Sequence, residues 1–133
     1  MDEINIKLPA KPEYMSVARL TTAAIANRAG FNIDDIEDLK AAVSEAGTYL
    51  FNRFTCISCI TIDYKLLDDC SININVRIPE TSEADEAADD SKESELSLFI
   101  IESIVDKVIK EEYNGSVIGF SILKTGGGNL YNE

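Results

Sequence analysis

Ile36, Leu39, Val43, Ala46 and Leu50 return every three or four positions, the spacing of one buried stripe on an α-helix. It is the most regular signal in the chain, and a buried stripe must face another apolar surface. The residues that follow supply one. Ser58, Ile60, Ile62, Tyr64 and Leu66 mark alternate positions of a strand, Leu67-Asp68-Asp69 makes a turn, and Ile72, Ile74, Val76 and Ile78 alternate with Asn73, Asn75 and Arg77. Two alternating runs joined by a short turn predict an antiparallel hairpin with one face buried and one wet.

The other elements are weaker but ordered. Ile4, Ile6 and Leu8 alternate up to Pro9, which reads as a first strand. Pro12 and Glu13 open an Ala-rich helix that runs to about Arg28 and closes at Gly30, and Asn32-Ile33-Asp34-Asp35 offers caps for the striped helix. Pro79 stops the hairpin. Thr81 to Ser94 is acidic, rich in Ala and Ser and without a large apolar side chain, the composition of a mobile loop. A third helix is expected from about Glu95 to Lys110, with Leu98, Ile101, Val105 and Val108 inward. Asn114-Gly115 then turns into a last strand from Val117 to Lys124. The order β-α-α-β-β-α-β predicts a two-layer α/β (α+β) sandwich, a mostly antiparallel sheet with helices on one face. The expected domain covers residues 1–124, with a loop over 79–94 and a flexible tail over 125–133.

The 133 residues hold 24 acids against 12 bases, a net charge of −12. Nucleic-acid binding rests on neutralising phosphates with Lys and Arg, so this balance argues against it. The charge is uneven: Glu80, Glu83, Asp85, Glu86, Asp89, Asp90, Glu93 and Glu95 face only Lys92, which puts −7 on that stretch. No apolar run approaches the ~18 residues of a membrane span, and MDEINIKLPAK has no signal-peptide core. A cytoplasmic location, without membrane contact, is expected. Cys56 and Cys59 have C-x-x-C spacing, but there is no His and no second such pair to complete a metal shell. Three positions apart in a strand they would point to opposite faces, so both are expected to be ordinary core thiols.

Glu37-Asp38-Leu39-Lys40-Ala41-Ala42-Val43-Ser44-Glu45-Ala46-Gly47-Thr48, with Pro12-Glu13-Tyr14 and Ala18-Arg19-Leu20-Thr21 upstream, resembles the anti-sigma-factor serine kinases of the RsbW type. These share an ATPase fold with histidine kinases, Hsp90 and gyrase (the GHKL superfamily). The likeness is specific over about Pro9 to Thr48 and follows the element order beyond. It implies a histidine-kinase-like ATPase fold and a homodimer. It also implies partners in a sigma factor and in an anti-anti-sigma (STAS) protein.

The family's helix motif E-A-x-T-N, often with a His four residues on, supplies a general base and a Mg²⁺ ligand. Glu45, Ala46 and Thr48 match, but Tyr49 holds the Asn position and Arg53 the His position. A neutral phenol is a poor ligand for a hard cation, and a ring at 49, one turn from Glu45, would fill nucleotide space. In the D-x-G motif that binds adenine, Ile78 holds the Asp position and Glu80 the Gly position. The Gly-rich phosphate loop corresponds to Ser94-Glu95-Leu96-Ser97-Leu98, with Ser97 at a glycine position and a carboxylate added. Phosphate cradles need bare backbone N–H groups and positive potential. Only Gly115-Ser116 keeps something of a later G-T pattern.

These departures imply lost phosphoryl transfer, which rests on positioning and charge stabilisation, and no ATP or Mg²⁺ cofactor. Glu45 then reads as a vestigial base position, an inherited carboxylate, and Tyr49 and Arg53 as pocket filler and surface charge. Arg19 matches the family's partner-contacting arginine, and a solvated helix arginine fits it equally. The acidic loop reads as a solvated lid or as a decoy for a basic partner. The function expected is an anti-sigma-type regulator acting by protein binding, a pseudokinase. The alternatives are an active serine/threonine kinase of the same type and a dimerisation or scaffold subunit. Nucleotide binding separates the kinase from the other two.

Overall fold

The computed structural model describes residues 2–54, 56–79 and 91–126. Strand β1 (Asp2–Pro9) leads through a 3-10 turn, Pro12–Tyr14, into α1 (Met15–Arg28) and α2 (Ile33–Arg53). The hairpin β2 (Cys59–Leu67) and β3 (Ser71–Arg77) follows, then α3 (Ser91–Glu102), β4 (Lys107–Tyr113) and β5 (Ser116–Thr125). The five strands lie in the order β1-β2-β3-β5-β4, every neighbouring pair antiparallel. The expected mixed architecture is what forms.

Local chemistry sets the ends of the helices. The Asn32 side chain accepts a hydrogen bond from the Asp35 N–H at 2.8 Å, capping α2, and Asp34 and Asp35 stand in its positive first turn. Gly30 takes a φ of +93°, the left-handed conformation that ends α1.

Register lines up one apolar face. Ile6, Ile62, Val76 and Phe120 are successive neighbours across four strands, and Ile4, Tyr64, Ile74, Ile122 and Val108 form the next row. Each helix is tied to this face by a named contact. The Thr22 hydroxyl of α1 donates to the Ala18 carbonyl at 2.7 Å, which leaves the Tyr64 hydroxyl to donate to Thr22, also at 2.7 Å. Tyr49 of α2 meets the Phe120 ring edge-on at 5.6 Å. Glu95 of α3 pairs with Lys110 at 3.4 Å. The predicted stripe is the core side of α2, with Leu39, Val43, Ala46 and Leu50 fully buried. Helix α1 lies so close that a Cβ on Gly47 would stand 2.8 Å from the Met15 methyl. The other face of the sheet carries Asn5, Asp63, Asn75 and Ser121 in one row, with Asn5 donating to Asp63. Lys124 is buried; its Nζ donates to the Ile104 carbonyl at 2.8 Å and lies 3.7 Å from both the Asp35 and Asp38 carboxylates.

Three expectations change. The third helix ends at Glu102, not Lys110, and Lys107–Tyr113 is an additional strand. Val105 and Val108 continue the helical spacing, but Val108 in and Ile109 out also fit a strand. Asn114 and Gly115, at φ +53° and +82°, close a tight hairpin from β4 into β5. The helix also starts at Ser91, inside the expected loop; residues 80–90 lie outside the described residues, as do 127–133 of the expected tail, whose first residue, Thr125, closes β5. Nor are the cysteines core thiols. Cys56 and Cys70 are exposed and Cys59 is half-buried, because Ile60 takes the inward position and Cys70 sits in a turn at φ +65°. Among the described residues no helix is long and apolar enough to cross a membrane.

Burial pushes the Tyr64 hydroxyl up to about 12, against a smaller downward pull from Thr22. The unfolded chain ionises its tyrosine near the ordinary value of about 10, so it binds fewer protons than the fold between those values and stability falls as pH rises. Urea denaturation between roughly pH 9 and 12 is expected to show an alkaline loss about 2–3 kcal/mol larger in the wild type than in Tyr64→Phe. Equal losses would refute the assignment.

Candidate functional site

Glu45, Thr48, Tyr49 and Asn52 follow one another at helical spacing on α2, and Leu96 and Ser97 of α3 face them across a cleft of about 260 Å³. The Ser97 hydroxyl donates to Glu45 Oε2 at 2.9 Å, closing the cleft from the α3 side. Ser97 is buried and Glu45 half-buried, so this charge-assisted bond lies between helices rather than in open water.

Tyr49 is a wall of this cleft and a core residue at once. The residue is 5% exposed and its ring packs on Phe120 of the inner strand β5, with an interplanar angle of 81°. That edge-to-face arrangement is a favourable one for aromatic pairs. One turn on, the Arg53 guanidinium lies 5.1 Å from the centroid of the Phe54 ring. Thr48 and Asn52 form the exposed rim.

Glu45, Tyr49 and Ser97 are therefore brought together, from motifs far apart in sequence. Ile78, just past β3, is buried, and its N–H donates to the Ile118 carbonyl at 3.0 Å. Ile78, Arg53 and Ser116 are not among the residues lining the cleft, and Glu80 lies outside the described residues. Arg19 stands apart on the exposed side of α1, its Nη1 donating to the Ser44 hydroxyl at 3.3 Å. Val17 and Leu20 flank it, 41% and 69% exposed, so α1 carries apolar residues on its outer side as well as its inner one. Asn52 and Leu96 were not singled out from sequence; the signal for Asn52 is its place two turns after Glu45 on one face.

A larger concavity, about 440 Å³, opens over Glu3, Asn5, Asp63, Lys65 and Asn75 on the outer sheet face. It holds none of the motif residues, and Asn5 and Asp63 bond each other there. The α2–α3 cleft is where the chemistry-bearing positions converge. Among the described residues no group of three His, Cys, Asp or Glu side chains is placed to hold a metal ion.

No protein-family model matches the chain. It is similar to the serine-protein kinase RsbW of Oceanobacillus iheyensis, 36% identical over 131 aligned positions covering 84% of this chain and 81% of that protein. It is likewise similar to the serine-protein kinases RsbW of Listeria monocytogenes serotype 4a, at 38% over 80% of this chain and 78% of the relative, and of Staphylococcus epidermidis, at 34% over 88% and 84%.

If Tyr49 is core rather than spare cleft lining, Tyr49→Ala is expected to lower stability by about 3–4 kcal/mol, the range for deleting a buried aromatic. Chemical denaturation measures this directly, and a loss below about 1 kcal/mol would remove Tyr49 from the core.

Proposed function

The chain belongs to the RsbW family of serine-protein kinases, and on that footing we propose that it regulates by binding proteins, with nucleotide chemistry lost. The observation that carries this reading is Tyr49. At the position where the family motif E-A-x-T-N has its metal-binding asparagine, the side chain is a ring committed to the core against Phe120. A neutral phenol is a poor ligand for Mg²⁺, which demands near-ideal octahedral oxygen geometry. Two further positions support it. Ile78, at the adenine-binding position, offers no acceptor to an amino group, and the Ser97 side chain, where bare glycine backbone would cradle phosphate, is bonded to Glu45. The residues present do not fit Mg-ATP.

Kinases act on charge in the transferred phosphoryl group through metal and positioning, so a site without either retains little of that stabilisation. What remains is surface. The proposed partners are a sigma factor or an anti-anti-sigma (STAS) protein, met by the exposed side of α1. There Arg19 offers a planar fork of donors between Val17 and Leu20. A homodimer in the cytoplasm completes the proposal, and the net charge of −12 disfavours nucleic acid as a ligand. A second reading, a working serine kinase with a displaced metal ligand, draws on Asn52, whose carboxamide rims the same cleft as Glu45.

The test is affinity for the protein that copurifies with the chain. Arg19→Ala is expected to weaken it by about 1–3 kcal/mol, about 5- to 150-fold, with an unchanged melting temperature. The wild-type affinity should be the same in EDTA as in Mg-ATP. Wild-type affinity in Arg19→Ala would take α1 out of the interface, and an affinity set by Mg-ATP would favour the second reading.

A further inference from the structure

Helix α3 is built inside out. Ser94 and Ser97 are inside, at 1% and 5% exposure, while Leu96 and Phe99 stand 59% and 67% exposed with Ile100 beside them. Positions 96, 99 and 100 fall on one helical face, so the outer side of α3 is an apolar stripe rather than scattered single residues. The inner face is already complete: Ile101 is fully buried and Leu98 packs against the core. Leu96 also borders the cleft, but Phe99 and Ile100 have no place in it, and contiguous exposed apolar surface with a polar rim marks an interaction site.

Among the described residues around the stripe, acids outnumber bases. The described acids of α3 are Glu95 and Glu102, both exposed, Asp106 follows just beyond, and the cation answering Glu95 is Lys110 at 3.4 Å. The chain as a whole is acidic too, at −12. An apolar stripe with an acidic edge is complementary to an amphipathic helix whose apolar face is bordered by Lys and Arg. It disfavours a second copy of this chain, which would bring the same acidic edge.

We propose that the Leu96–Phe99–Ile100 face of α3 is a docking surface for a basic amphipathic helix of a partner protein, separate from the Arg19 side of α1. Helix-on-helix packing places the partner's leucine ridge along the stripe, and a basic flank of that helix meets Glu95 and Glu102. This surface does not involve Arg19, and it shares only Leu96 with the cleft.

The probe is a fluorescein-labelled helical peptide with leucines at i, i+3, i+4 and i+7 and lysines on both flanks. A control peptide has the same leucines flanked by glutamates. Anisotropy with the full chain should show the lysine peptide binding, about tenfold or more weaker to Phe99→Ser and little changed by Phe99→Leu. The glutamate peptide should bind at least about tenfold more weakly than the lysine peptide, a gap that narrows in high salt. Phe99 is largely exposed, so both variants should keep the wild-type melting temperature. Undiminished binding by Phe99→Ser would reduce the effect to bulk attraction toward an acidic protein and overturn the proposal. Equal affinity for the two peptides, or no binding of the lysine peptide, would overturn it too. So would sedimentation showing that Phe99→Ser splits a dimer, which would assign the stripe to a second copy.

Discussion

The contact of Tyr49 with Phe120 joins the middle helix to an inner strand of the sheet, and both the packing of the fold and the proposed loss of nucleotide chemistry depend on it. Helix α2 packs against β3 and β5 beneath it and has α1 and α3 on either side. Its fully buried residues, Leu39, Val43, Ala46 and Leu50, hold it to the sheet, and Tyr49 extends that seam toward the α3 side. Interiors are close-packed, so a ring of this size cannot serve the core and leave its space to a ligand. In the proposed reading, the ring that fills the seam also limits what the neighbouring cleft can hold.

A division of labour follows along α2. On the α3 side Glu45 and Ser97 bond each other across a narrowed cleft; on the α1 side Ser44 accepts from Arg19. The middle helix thus borders a cleft on one side and packs against α1 on the other. Both outer helices carry large apolar residues outward, Leu20 on α1 and Phe99 on α3. Such residues at interface centres contribute strongly to binding when desolvated.

Much of the architecture was legible because α2 and the β2–β3 hairpin each follow a single period, of 3.6 and 2 residues. The α3–β4 boundary was not. Leu98, Ile101, Val105 and Val108 keep helical spacing straight through it, and a short apolar run fits both templates; pairing with β5 across Asn114-Gly115 decides the outcome. The outward stripe of α3 was equally hidden. Leu96, Leu98, Phe99, Ile100 and Ile101 stand almost consecutively, so periodicity cannot tell which of them face the sheet, and packing puts Ser94 and Ser97 inside. The cysteines went the other way from their type's usual burial, because register gave Ile60 the inward place. For the cleft, sequence named Glu45, Tyr49 and Ser97 through motif resemblance, but 52 residues separate Glu45 from Ser97, and only the fold closes that distance.

The central claim is that a chain of kinase descent has exchanged its nucleotide for its core. Isothermal titration of Mg-ATP into the full-length protein tests it most directly. The account predicts no measurable heat of binding up to millimolar nucleotide (about −4 kcal/mol of affinity or less). A saturable isotherm with a dissociation constant in the micromolar range would contradict it.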